Sequence, residues 1–65
     1  MKIVLNGRIT QTRARTLLDL VSEQRFDPGS LVVEVNHDVV RQEKWKDIRL
    51  KDDDSIELLS FVGGG

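Results

Sequence analysis

A chain of 65 residues that contains no cysteine has to hold its core by topology alone. Domains of this size are usually stable by only roughly 3–5 kcal/mol, and many add disulfides or a structural zinc to get there. Disulfides need thiols, and a structural zinc needs a set of Cys and His ligands that one histidine does not supply. The missing cysteine also limits function. It excludes a thiol nucleophile, a persulfide carrier, a redox dithiol and a thiolate-bound cluster.

Local signals along the chain agree with a small α+β domain. Met1 to Leu5 alternates, with Met1, Ile3 and Leu5 on one face and Lys2 and Val4 on the other, which predicts a strand. Asn6-Gly7 then predicts a two-residue hairpin turn, because both residues accept positive φ, and Arg8-Ile9-Thr10 returns antiparallel. After a polar connection, Thr16 is a helix cap with Asp19 as the acidic partner of a capping box. Leu17, Leu18, Leu20 and Val21 form the helix's apolar stripe, and Arg25 is expected in its last turn before Asp27-Pro28-Gly29 ends it.

Leu31 to Asn36 is the most β-prone run, with Leu31, Val33 and Val35 facing the core. Asn36-His37-Asp38 reads as a turn and Val39-Val40 as a short strand. An irregular crossover follows, in which Trp45 closes the bottom of the core and Ile48 and Leu50 anchor the chain. Asp52-Asp53-Asp54 makes another turn. The last strand is expected from Ile56 to Val62, with Ile56 and Leu58 inward and Glu57 outward. A helix enclosed by the strands of a mixed four- to five-stranded sheet is a β-grasp, or ubiquitin-like, arrangement, with the first and last strands parallel in the centre. Residues 1–62 are its domain, and 63–65 a flexible reactive tail.

Lys and Arg together number 10 against 11 Asp and Glu, so no basic stripe points to nucleic acid. Arg8, Arg13, Arg15 and Arg25 are dispersed and offset by acids. No run approaches the roughly 20 apolar residues of a membrane span or the pattern of a signal peptide. A soluble, cytoplasmic protein is expected.

The chemistry-bearing motif is Gly63-Gly64-Gly65, directly after an apolar strand. A glycine tail by itself fits an inert end as well as a functional one. The functional reading has a physical reason: a tail without side chains enters a channel that any Cβ would block, and adopts whatever φ the channel requires. Three extended residues reach roughly 10 Å beyond a folded body. A terminal carboxylate can attack phosphorus, and as an acyl-adenylate it becomes an electrophile for sulfur or amine nucleophiles.

The whole chain resembles the ThiS family of ubiquitin-like sulfur carriers. The resemblance rests on Met1-Lys2-Ile3-Val4-Leu5-Asn6-Gly7, Thr16-Leu17-Leu18-Asp19-Leu20 and Val33-Glu34-Val35-Asn36. It continues through Val39-Val40 with Trp45, and Phe61-Val62-Gly63-Gly64-Gly65. It implies a protein co-substrate and not an enzyme, with no bound cofactor. A ThiF-type adenylating enzyme would use ATP to activate Gly65, and sulfur derived from a cysteine desulfurase would convert the adenylate to a thiocarboxylate. Thiazole synthase (ThiG) would take that sulfur into the thiazole of thiamin. Gly63 and Gly64 would be the thin leader. The chain departs from the family pattern in loops, at Asn36-His37, Arg41-Gln42 and Asp52-Asp53-Asp54.

Alternation sends Leu59 and Phe61 to the same face as Val4, which marks a docking surface for the enzyme partners. His37 reads as a surface residue, Asp52-Asp53-Asp54 as a solvated turn without the spacing of a calcium loop, and no metal site is expected. Two alternatives stay open on the residues alone. One is a carrier like the small subunit of molybdopterin synthase, or a modifier joined to lysines. The other is a β-grasp interaction module with a passive tail.

Overall fold

The described residues form five strands, and the two hairpins among them turn on residues of positive φ. The computed structural model describes residues 1–25 and 27–60. Strands β1 (Lys2–Leu5) and β2 (Arg8–Gln11) form the first hairpin, with Leu5 opposite Arg8 across the Asn6-Gly7 turn. Asn6 has φ 49 and Gly7 φ 81, the pair of left-handed residues expected of this turn. Strands β3 (Leu31–Val35) and β4 (Asp38–Val40) form the second, with Val35 opposite Asp38. Its turn residues Asn36 and His37 have φ 50 and φ 75. Strand β5 (Ser55–Ser60) completes one sheet in the order β2-β1-β5-β3-β4, parallel to β1 and antiparallel to β3. This is the β-grasp arrangement, with five strands.

Helix α1 (Leu17–Glu23) crosses one face of the sheet. Its capping box is complete: the Thr16 hydroxyl accepts from the Asp19 N–H at 3.1 Å, and Asp19 Oδ2 accepts from the Thr16 N–H at 3.3 Å. The bond from the Thr16 backbone, followed by one from its side chain, holds the Asp19 carboxyl below its ordinary value of 3.8. The far end differs from expectation. The helix closes at Gln24, whose N–H reaches Val21 C=O, and no basic residue lies in its last turn. Arg25 stands outside, at φ 58. It ends the helix by turning left-handed, the role glycine usually fills, at a cost of about 1–2 kcal/mol.

The core lies between α1 and the sheet. Leu17, Leu20 and Val21 meet Ile3, Val33, Ile56 and Leu58, with Leu5, Leu31, Val35, Val40 and Ile48 packed at the margin. Leu18 is a correction to the expected stripe. It is 41% exposed and lines a groove of about 420 Å³ with Gln42, Glu43 and Lys46, residues of the 3-10 turn Gln42–Asp47. Trp45 in that turn is 1% exposed and its Nε1–H donates to Val40 C=O at 2.9 Å. The indole thus closes the core with its polar atom satisfied. Its removal would cost about 3–5 kcal/mol, as much as a domain this small usually has. No helix among the described residues is long and apolar enough to cross a membrane.

Candidate functional site

Strand β5 ends at Ser60, directly before residues 61–65, so its surroundings define the part of the body that precedes the glycines in the chain. Phe61, Gly63, Gly64 and Gly65, and the expected continuation of the strand to Val62, lie outside the described residues. Within them, β5 is held on both sides. Toward β3 it pairs from Ile56 opposite Val35 to Ser60 opposite Leu31. Toward β1 the pairing is shorter, from Ser55 opposite Val4 to Ile56 opposite Leu5.

Two asparagine side chains add to these ladders. Asn36 Oδ1 accepts the Ser55 N–H at 2.9 Å, at the start of β5. Asn6 Oδ1 accepts the Leu58 N–H at 2.8 Å, farther toward the glycines. In the sequence both asparagines read as turn formers only. Their second role depends on partners 19 and 52 residues away, which no local pattern encodes.

The triple-aspartate turn also departs from expectation. Asp52 and Asp53 are exposed, but Asp54 is buried at 6% exposure. Its carboxylate accepts the Lys51 N–H at 2.8 Å and the Asn36 Nδ2–H at 3.0 Å, and its C=O accepts the Val4 N–H. The carboxylate ties the second hairpin turn to the entry of β5. Asp53 takes φ 71, and Asp52 Oδ1 accepts the Lys2 N–H at 3.1 Å. The Lys2–Asp53 ion pair at 3.3 Å is exposed and contributes little. The described residues form no cluster of three or more metal-ligating side chains, and His37 is an exposed turn residue.

The face of the sheet opposite α1 carries two of the residues expected to dock, Val4 and Leu59. Val4, half-buried, is paired with Ile9, which is 74% exposed. Leu59, 46% exposed, is paired with Val32. Val4 and Leu59 therefore share a face but not a contact patch. Val4 lies opposite Ser55, and Leu59 is four residues farther along, about 13 Å away. Glu57 stands between them, directly across from Glu34. Opposed like charges on neighbouring strands are unfavourable, and neither carboxylate has an ion-pair partner among the described residues.

With this geometry in view, comparison with known proteins is specific. The ThiS family model matches residues 3–65. The sulfur carrier protein ThiS of Bacillus subtilis is 32% identical over 63 residues, covering 94% of this chain and 96% of that protein. A thiazole synthase of Magnetococcus marinus is 39% identical over 66 residues, but this chain spans only 20% of that protein's length. The crystal structure of a thiamine biosynthesis protein (ThiS) from Geobacter metallireducens superposes with a TM-score of 0.84 at 28% identity, each chain covered in full.

Proposed function

The chain belongs to the ThiS family, and we propose that it is the sulfur carrier of thiazole formation in thiamin biosynthesis, loaded on Gly65. The observation that carries this reading is the position of β5. An interior strand of the sheet delivers residues 61–65, so the body holds the base of the segment while its glycines offer no side chain to obstruct entry into an enzyme.

The chemistry then follows from the terminal carboxylate. One of its oxygens attacks the α-phosphorus of ATP and pyrophosphate leaves, forming an acyl-adenylate. Sulfur delivered at the level of hydrosulfide attacks the acyl carbon, and AMP leaves with the electron pair of the broken C–O bond. The product is a thiocarboxylate. The carrier supplies the reacting carboxylate of Gly65 and catalyses none of these steps; it is a co-substrate of a ThiF-type adenylating enzyme, a desulfurase-derived sulfur donor and a thiazole synthase. In the Magnetococcus thiazole synthase a segment similar to this chain is part of the same polypeptide, which favours thiazole over molybdopterin as the destination.

Docking is assigned to the outer face of the sheet. Among the described residues Leu59 with Val32 is the apolar pair nearest the glycines and Val4 with Ile9 a second one, and Phe61 is assigned with them from the alternation of the sequence alone. A cation on the enzyme would relieve the Glu34–Glu57 opposition between them.

Intact mass after incubation with ATP, adenylating enzyme and sulfur donor tests the loading. A species heavier by one oxygen-to-sulfur exchange at Gly65 is the expected product, and deletion of Gly65 abolishes it. A chain that stays at its original mass under conditions that load the Bacillus carrier would rule the reading out. A Phe61→Ala or Leu59→Ser protein loaded at the normal rate would remove the docking assignment alone.

A further inference from the structure

Asn6 does more than turn the first hairpin. Its backbone N–H donates to Ile56 C=O at 2.9 Å, the last main-chain bond from the first hairpin to β5. Past that point, among the described residues, β5 pairs with β3 alone, through Leu58 opposite Val33 and Ser60 opposite Leu31. The next donor on the β1 side is the Leu58 N–H, and the Asn6 side chain accepts it at 2.8 Å. The amide oxygen stands in for a residue that β1 lacks, and extends the parallel ladder by one bond toward the glycines.

We propose that Asn6 is a positioning residue for the loading reaction, setting the direction in which β5 delivers Gly65; this rests on the carrier reading above. The bond limits how far the Leu58 end of β5 can move away from β1, and Gly65 lies seven positions farther along the chain. Loss of the bond widens the range of placements open to the carboxylate while the body is docked, and misplacement of reacting atoms by about 1 Å can cost on the order of a hundredfold in rate. The enzyme's channel recovers part of the loss, so a moderate effect is expected.

The test uses the intact chain as wild type, Asn6→Gly, Asn6→Asp and Asn36→Gly. Glycine keeps the positive φ of the turn and deletes the acceptor, while aspartate keeps both. Two quantities are read: hydrogen exchange of the Leu58 amide, and kcat and KM for pyrophosphate release by a ThiF-type enzyme with ATP. Because the carrier is the varied substrate, partial unfolding of a variant raises its apparent KM, whereas a misdirected carboxylate lowers kcat. Asn6→Gly is expected to exchange Leu58 about three- to tenfold faster, the range that one lost hydrogen bond corresponds to. Its kcat is expected to fall by a similar factor with KM within about twofold. Asn6→Asp restores both, and Asn36→Gly leaves kcat at the wild-type value. Unchanged Leu58 exchange, unchanged kcat, or a loss confined to KM in Asn6→Gly overturns the positioning role while the carrier reading stands. Wild-type protein that releases no pyrophosphate overturns the carrier reading instead, and the positioning role with it.

Discussion

The two hairpin turns are built alike and fastened differently. Each joins antiparallel strands through two residues of positive φ, and in each the first residue is an asparagine whose side chain binds the backbone of β5. Their positions are opposite, because β1 runs with β5 and β3 runs against it. The Asn36-His37 turn sits at the entry of β5, and the Asn6-Gly7 turn lies toward the glycines. At the entry, Asn36 bonds Ser55 and Asp54 at once, and Asp54 is further tied to Lys51 and Val4. Toward the exit, one bond from Asn6 to Leu58 is all that the first turn's side chains supply. The fold thus fastens the start of the last strand to both turns several times over, whereas its far end keeps the β3 ladder and a single side-chain bond on the β1 side.

The largest effect is expected where the anchoring is redundant. Asp54→Ala removes a buried carboxylate that accepts two part-buried hydrogen bonds and should cost about 2–3 kcal/mol in urea unfolding, with an unchanged denaturant slope. A loss under about 1 kcal/mol would mean that the entry is no better fastened than the exit. Next, Asn36→Gly keeps its turn but loses two bonds, and should cost about 1–2 kcal/mol. Asn6→Gly loses one and should cost about half as much. Equal losses would erase the asymmetry.

A residue exchange isolates the second turn position. A Cβ at Gly7 would meet nothing within 4 Å, so Gly7→His feels only the backbone strain of φ 81 and should lose about 1 kcal/mol. His37→Gly should gain about 0.5–1 kcal/mol, because relief of strain at φ 75 outweighs the greater freedom of an unfolded glycine. If His37→Gly destabilises, the imidazole contributes a contact that makes the second turn unlike the first. The smallest effect is away from both turns and sets the pH at which they should be compared. Asp19 titrates lower when folded, so the unfolded chain binds more protons and stability rises with pH in that range. The cap's contribution is complete above 3.8 and is lost as pH falls through the lower folded value. Asp19→Asn should therefore flatten part of the melting-temperature decline in acid and leave both turns unchanged.

Features that depend on neighbours in the chain are legible in the amino-acid order. Asn6-Gly7, the Thr16–Asp19 box and the turn at Asp53 follow from φ preferences and a reach of three residues or fewer, and the protein contains all three. Trp45 can be placed at the core because a large apolar ring with one donor has few other solutions in a chain this short. The end of α1 is not legible. No glycine marks it, and the left-handed position falls to Arg25, a residue whose side chain does not announce it. Periodicity points Leu18 inward, but a helix of 7 residues buries a narrower stripe than its apolar content suggests.

Local conformational energy and side-chain chemistry, both written in the amino-acid order, set the succession of elements, the two turns and the composition of the terminal segment. The register of β5 between β1 and β3 belongs to the folded whole. That register converts Asn6 from a turn former into the clamp on Leu58, buries Asp54 out of a solvated-looking acidic run, and sets Glu57 against Glu34 between the apolar pairs. Register is the sum of many weak long-range contacts. No short stretch of chain contains the energy that chooses it.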